Sequence, residues 1–353
     1  MRFGQRQTKP VLSAILITSW VKIEKIRSNN CPTVVSCVKG AAGMTPEQIA
    51  ELRQKRYNGQ VVYLHKVHSD LMILRVKPDF PRPPYIPGQY TTLGLAYCEP
   101  RVEGCQAEQL KPEDLSKIVR RSYSISSSIY SSPGILRDML QDDWLEFYIV
   151  LVRENPDGRV PALTPRLFAL NEGDRLAIGE KITGHYTLEP VPPGANVVFL
   201  STGTGEAPHN AMIWELLRRR HTGKIFSACC VRYLQDLGYL SVHNQLMEQF
   251  PNYRYVGLAT RESSSGGSKK YLQDLITSGE LEDYLGDRLD PARTHVYLCG
   301  NPKMIGVPVK DPQTGERRYP EPLGVIEILE RRGFKADIPS AKFKGNVHFE
   351  EYW

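Results

Sequence analysis

No apolar run in the 353 residues approaches the roughly 20 that a membrane-spanning helix needs, so no integral membrane segment is expected. The seven cysteines (Cys31, Cys37, Cys98, Cys105, Cys229, Cys230 and Cys299) are equally uninformative as ligands. None forms a C-x-x-C pair suited to zinc or the C-x4-C-x2-C spacing of a plant-type iron–sulfur site, and no metal is expected. An odd, scattered set in a chain of this size favours reduced thiols and a cytoplasmic setting. No compact Lys/Arg run alternates with aromatics, which argues against nucleic acid as the partner. The formal charge of +6 is only mildly basic, enough to attract an acidic protein or an anionic cofactor.

What is present is an ordinary globular composition, 41% hydrophobic and 24% charged, over a length that accommodates two domains. The N-terminus stands apart. Arg2, Arg6 and Lys9 precede an apolar stretch at 11–21 that imitates a signal peptide, but no small-residue cleavage site follows cleanly. Residues 25–43 have little periodicity, and Thr45-Pro46-Glu47-Gln48 then supplies an N-cap, a proline at N1 and an acid in the first turn. Residues 1–43 therefore read as a dispensable extension, as a start codon assigned too far upstream would produce, with a cleaved export signal as the alternative.

From 59 to 190 the pattern is short β-like runs, at 60–64, 72–76, 90–93 and 145–150, separated by proline- and glycine-rich turns. Such density suggests an antiparallel barrel or sandwich. The polar stretch 98–120, with two cysteines, reads as a surface insertion. After Pro192-Pro193-Gly194 the texture changes. A continuous apolar run at 196–200 suits a strand buried on both faces of a parallel sheet. Helix patterns at 208–220, 240–249, 271–278 and 324–331 then alternate with strand patterns at 224–231, 253–259 and 294–299. That alternation predicts an open α/β sheet, which binds ligands beyond the carboxyl ends of its strands. The expected organisation is a β-barrel domain at 44–192 followed by a nucleotide-fold domain at 193–353.

Two motifs carry chemistry. Ser201-Thr202-Gly203-Thr204-Gly205-Glu206-Ala207-Pro208 follows the buried strand and opens a helix, where glycines let the backbone approach a pyrophosphate. The third glycine of the usual dinucleotide fingerprint is replaced by Pro208, and a plain strand-to-helix turn is the alternative. In Arg121-Ser122-Tyr123-Ser124, a strand would place Arg121 and Tyr123 on one face. A guanidinium there can pair with phosphate while the ring stacks on a flat heterocycle. An ordinary exposed polar strand is the alternative.

Taken with Pro87-Gly88-Gln89-Tyr90, Leu298-Cys299-Gly300-Asn301-Pro302-Lys303-Met304 and the terminal Glu350-Glu351-Tyr352-Trp353, these motifs occur in an order that resembles ferredoxin–NADP⁺ reductases. The resemblance is to the bacterial type ending in Tyr-Trp and covers residues 58 to 353. It implies an antiparallel FAD-binding β-barrel followed by an open parallel α/β domain that binds NADP(H). The activity implied is electron transfer between NADP(H) and a one-electron carrier, ferredoxin or flavodoxin. The resemblance implies that Arg121, Ser122, Tyr123 and Ser124 meet the flavin and its phosphates. Tyr148 matches an FAD-contacting strand residue, and Ala162, Leu163 and Thr164 match the backbone cradle of the FAD phosphates, with Thr164 where serine is usual. Thr204 matches the meeting point of the two nucleotides, Tyr352 a ring over the flavin, and Trp353 a cover for the FAD adenine. Ser124, Cys299, Glu350 and Tyr352 are the implied catalytic set.

For the second coenzyme, the free ribose of NAD calls for a carboxylate after the second strand, whereas Arg232 stands here. Arg232, Thr260, Arg261, Lys269 and Tyr271 resemble a 2′-phosphate pocket, with Gly203, Thr204 and Gly205 at the pyrophosphate. Lys269 replaces a usual arginine, keeping the charge but losing the bidentate fork. Arg153, Arg166 and Lys181 are candidates to steer an acidic carrier protein. A reductase component serving an oxygenase or cytochrome is the alternative on the same fold; a nucleotide-binding regulator without turnover is the alternative of another class. A cytoplasmic monomer is expected.

Overall fold

The computed structural model describes residues 43–262, 269–311, 313–314 and 316–352. The extension expected at 1–43 lies outside the described residues except for its last position, and so does Trp353.

The described chain opens with helix α1 (Pro46–Arg56), nucleated as its sequence dictates: Thr45 and Gln48 cap each other reciprocally and proline occupies N1. Tyr57 follows, donating its hydroxyl to Glu99 at 2.8 Å and accepting the amide of Ala96 at 2.9 Å. The first sheet contains β1 (Gly59–His68), β2 (Leu71–Pro78), β3 (Tyr90–Ala96) and β4 (Ile118–Ser124). A hairpin, β5 (Tyr130–Ser132) and β6 (Ile135–Leu136), intervenes before β7 (Leu145–Val150) and β8 (Arg175–Ile178) rejoin the sheet. Its order is β4-β3-β8-β1-β2-β7, antiparallel throughout. A bridge from Ser126 to Glu146 joins the two ends, closing the sheet on itself. Between β7 and β8 lies the one-turn helix α2 (Thr164–Leu167).

The second sheet is parallel: β9 (Asn196–Thr202), β10 (Ile225–Val231), β11 (Tyr253–Ala259) and β12 (Thr294–Gly300), with β15 (Val347–Glu351) added last; a small hairpin, β13 (Val309–Lys310) and β14 (Arg317–Arg318), precedes it. The order is β11-β10-β9-β12-β15. Side-chain alternation splits it into two cores. Val198, Leu200, Phe226, Ala228, Val296 and Leu298 face helices α5 (Leu272–Thr277), α6 (Glu280–Leu285), α7 (Pro302–Ile305) and α8 (Val325–Glu330). Val197, Phe199, Ile225 and Tyr297 face α3 (Glu206–Arg218), α4 (Leu240–Gln249) and the barrel. Because the strand order reverses between β9 and β12, their carboxyl ends open the crevice where such sheets bind ligands.

Polar contacts lock the barrel to the second sheet. Trp214 of α3 donates its indole N–H to the carbonyl of Arg137 at 2.6 Å, and Tyr130 donates to Gln249 at 2.7 Å. The fully buried Tyr239 reaches Glu146 at 3.0 Å and Ser126 at 3.1 Å. Replacing Tyr239 with phenylalanine leaves a buried carboxylate short of a donor. We expect a loss of about 1–3 kcal/mol in a urea titration; an unchanged midpoint would show that this contact does not hold the domains together.

Candidate functional site

The glycine turn sits at the carboxyl end of β9 and leads directly into α3. Gly203 has φ +52°, with open space where a side chain would project, and a Cβ at Gly205 would collide with the carbonyl of Cys299. So Gly205 is required for close packing and Gly203 for turn conformation. The Cys229 thiol donates to the Gly203 carbonyl from below at 3.6 Å. Across the crevice, Thr202 Oγ1 accepts the Asn301 amide at 2.7 Å, and Asn301 caps α7.

The chain's end completes this crevice. Parallel register places Glu350 of β15 opposite Cys299 of β12. Ser124, at the end of β4 in the barrel, donates its hydroxyl to Glu350 Oε2 at 3.2 Å. Burial pushes the Glu350 carboxyl up to about 7, with the Ser124 hydrogen bond opposing. Cys299 is fully buried, and burial together with the charge of Glu350 pushes its thiol well up, so it stays neutral. Tyr352 is tethered by its amide to the Gly300 carbonyl at 2.8 Å. Its hydroxyl is buried with no hydrogen-bond partner among the described residues. Ser124, Cys299, Glu350 and Tyr352 are thus brought together at the sheet's switch point.

On the barrel side, Arg121 is exposed and Tyr123 half-buried with its edge against Phe147, ring centroids 6.5 Å apart. Ser122 is exposed on the opposite face of β4. The N–H groups of Ala162, Leu163 and Thr164 have no acceptor among the described residues, while the Thr164 hydroxyl accepts the Val152 amide at 3.1 Å. At the other edge, Arg261 donates its amide to the Arg232 carbonyl at 2.8 Å and Thr260 donates to Val231 at 3.0 Å, joining the ends of β10 and β11. Both arginine side chains are exposed, and neither has an ion-pair partner among the described residues. Lys269 lies with its ammonium 5.3 Å from the Tyr271 ring centroid. Burial pushes the Cys230 thiol, next to the end of β10, up to about 11, with the Lys269 charge opposing. An exposed cation group and a glycine turn fit a phosphorylated dinucleotide; the free N–H groups of 162–164 and the exposed Arg121 fit the phosphates of a second one.

The nucleotide half, residues 199–310, matches the family model described as an oxidoreductase NAD-binding domain. The flavodoxin/ferredoxin–NADP reductase of Escherichia coli K12 is 31% identical over 226 residues, 63% of this chain and 76% of that protein. The chain belongs to the flavodoxin/ferredoxin–NADP reductase family. The ferredoxin–NADP reductase of Azotobacter vinelandii is 29% identical over 215 residues, 58% of this reductase and 76% of that one. In fold, the reductase is similar to the crystal structure of a ferredoxin NADP⁺ reductase from Neisseria gonorrhoeae, with TM-score 0.61, 20% identity, and 83% and 97% of the two chains covered.

Tyr148, matched to an FAD-contacting strand residue, does not share a face with Tyr123, and three other expectations need correction. Adjacent strand residues point oppositely, and Phe147 takes that face while Tyr148 packs on Tyr239 at 4.8 Å. The Tyr148 hydroxyl bonds the carbonyl of Asp236 and the amide of Gly238. Arg166 cannot steer a partner: it is 2% exposed and holds Glu108 and the carbonyls of Tyr97 and Ala162. Arg153 commits its guanidinium to Asp70, leaving Lys181 exposed. The segment after β3 folds down onto α2, with Val102 donating to the Pro165 carbonyl, and β4 already begins at 118.

Sequence reading missed a buried network beneath the glycine turn. Glu206 Oε1 accepts from Tyr255 at 2.7 Å and meets His243 Nε2 at 3.1 Å, and the Tyr253 hydroxyl lies 2.8 Å from His243 Nδ1. A charged residue inside the motif was its only signal.

Folding takes up a proton at Glu350 between roughly pH 4.5 and 7. Its contribution is favourable below that window and lost as pH rises through it. Glu350→Gln should therefore raise the melting temperature relative to wild type at pH 8 more than at pH 5. Equal shifts at both pH values would contradict the buried carboxyl.

Proposed function

We propose that this reductase uses FAD to move electrons between NADP(H) and ferredoxin or flavodoxin, with residues 44–192 as the FAD-binding domain and 193–353 as the NADP(H)-binding domain. The observation that carries the reading is the Ser124–Glu350 hydrogen bond, which joins the barrel to the nucleotide sheet beside the glycine turn. FAD, when bound, supplies both hydride acceptance and release of single electrons. The protein's part is binding and placement.

Arg121 pairs with the FAD phosphates, helped by the free N–H groups of Ala162, Leu163 and Thr164. Tyr123 stacks against the flavin on the face it shares with Arg121. Ser122 lies alongside, and Ser124 hydrogen-bonds at the reacting edge. Tyr352 covers the flavin where nicotinamide must arrive, its unpartnered hydroxyl pointing to a polar neighbour supplied on loading; Trp353 covers the adenine. Gly203, Thr204 and Gly205 hold the NADP pyrophosphate. Arg232, Thr260, Arg261, Lys269 and Tyr271 receive the 2′-phosphate. Glu350, poised near neutrality, holds or yields a proton at its Oε2 through Ser124, and the neutral Cys299 fills the floor. No helix among the described residues is long and apolar enough to cross a membrane. A cytoplasmic monomer is the setting we propose.

Purified protein reconstituted with FAD should be yellow and should reduce cytochrome c with NADPH through ferredoxin or flavodoxin. Colourless, inactive protein would refute the reading. Neutralising Arg261 and Lys269 to glutamine should weaken NADPH by roughly tenfold or more per charge while sparing NADH; equal loss for both coenzymes would remove the 2′-phosphate assignment. Deleting Tyr352 and Trp353 should relax the NADPH-over-NADH preference in steady-state kinetics, because the ring no longer competes for the flavin face. An unchanged ratio would count against that role.

A further inference from the structure

Beyond the residues of the site, a chain of titratable groups runs along the strand that carries Glu350. In the parallel register Tyr297 lies opposite His348 and Cys299 opposite Glu350. Strand alternation therefore puts His295, Tyr297 and Cys299 of β12 on one face with His348 and Glu350 of β15. His348 is 2% exposed. Its Nδ1 lies 3.0 Å from Asp337 Oδ2 and its Nε2 lies 3.0 Å from His295 Nδ1. The two imidazoles stack with centroids 5.3 Å apart, and the Tyr297 ring lies 4.5 Å from His348 on the adjoining side. Tyr297 is itself fixed by donating to the Thr187 carbonyl at 2.9 Å.

Asp337 is a node. Its own amide donates to the Val347 carbonyl at 2.9 Å, its Oδ1 accepts the Gly345 amide at 2.8 Å, and Lys344 lies 3.3 Å from its Oδ2. Burial opposes its ionisation, but the hydrogen bond with His348, with those of Gly345 and Lys344, holds it below the usual carboxylate range. An ionised Asp337 can only accept, so His348 Nδ1 carries the proton. In neutral His348 the Nε2 is then an acceptor, and His295 Nδ1 must donate to it. Both tautomers are fixed by one carboxylate.

We propose that the Asp337–His348–His295 chain is the positioning device for the catalytic end of the polypeptide, setting the register in which Glu350 meets Ser124. This rests on the reading of Glu350 as a site residue. The need for such a device follows from the fold. β15 is the last strand in the order of its sheet, and beyond its pairing with β12 a short bridge from Ala336 to Val347 meets it on the other side. A backbone ladder fits as well after a slip, but a one-residue slip would turn Glu350 away and present Phe349 or Glu351 instead. A side chain tied at both ring nitrogens permits no slip. His348 is two residues from Glu350, so the tie acts on the same face and at the shortest distance that does not enter the site.

The test uses the FAD-loaded protein and three variants. ¹⁵N imidazole spectra of the wild type should show His348 and His295 both protonated at Nδ1. His348→Phe keeps a ring but removes both ties, and His348→Gln keeps a single hydrogen-bonding arm. His348→Phe should slow flavin bleaching by NADPH on the order of tenfold to a hundredfold, with NADPH affinity unchanged, and His348→Gln should fall between it and wild type. The ¹³C-detected titration midpoint of the Glu350 carboxyl should move in His348→Phe. A folded His348→Phe with unaltered rate and Glu350 midpoint would overturn the inference, as would an Nε2-protonated His348 in the wild type. Should His348→Phe not fold, His348→Gln and the imidazole spectra decide the matter in the same way. Glu350→Gln separates the two levels: an undiminished rate there would overturn the reading of the site itself, whereas a slowed Glu350→Gln beside an unaffected His348→Phe overturns the inference alone.

Discussion

A single hydrogen bond, from Ser124 in the barrel to Glu350 at the chain's end, joins groups separated by 226 residues in sequence. Every larger feature of the structure bears on whether it can form. The barrel must close for β4 to end at the crevice, and the Ser126–Glu146 bridge closes it. The parallel sheet must add β15 beside β12 in the right register, because that alone sets Glu350 opposite Cys299. The two domains must be held at one separation, which Tyr239, Tyr148 and Trp214 do through hydrogen bonds at their seam. A hydrogen bond of 3.2 Å tolerates little drift, so the site inherits its precision from contacts far from it.

Electrostatics divide the crevice into two kinds of environment. Around Glu350 and Cys299, burial disfavours charge, leaving a neutral thiol and a carboxyl balanced near neutrality. At the rim, Arg121, Arg232, Arg261 and Lys269 are exposed cations. Phosphates belong at such a rim, where they keep some solvation, and reacting rings belong in the dry interior, where placement and dipoles act strongly. A pair of nucleotides laid with phosphates outward and rings meeting inward matches that division.

Local chemistry made part of this legible in the sequence. The glycine turn, the Arg-Ser-Tyr-Ser run and Cys299-Gly300-Asn301 are contiguous, and each encodes its own backbone requirement. The alternation of strand and helix after 194 was legible for the same reason. Properties that depend on facing and burial were not. The resemblance matched Tyr148 to a flavin-contacting residue, but which of Phe147 and Tyr148 shares a face with Tyr123 depends on strand parity, and that place goes to Phe147. Arg166 looked like a surface cation, yet Glu108 and two carbonyls enclose it, a partnership between segments 58 residues apart. The networks around Glu206, Glu146 and Asp337 join residues that only tertiary folding brings together.

The central claim is that Ser124 and Glu350 act together on transfer and leave coenzyme binding to the rim. Stopped-flow bleaching of the bound flavin by NADPH, measured for wild type, Ser124→Ala, Glu350→Gln and the double variant, tests it most directly. Each single variant should slow the limiting rate, the double variant should be little slower than either, and NADPH affinity should stay constant in all. Independent, multiplying effects of the two substitutions, or losses confined to affinity, would contradict it.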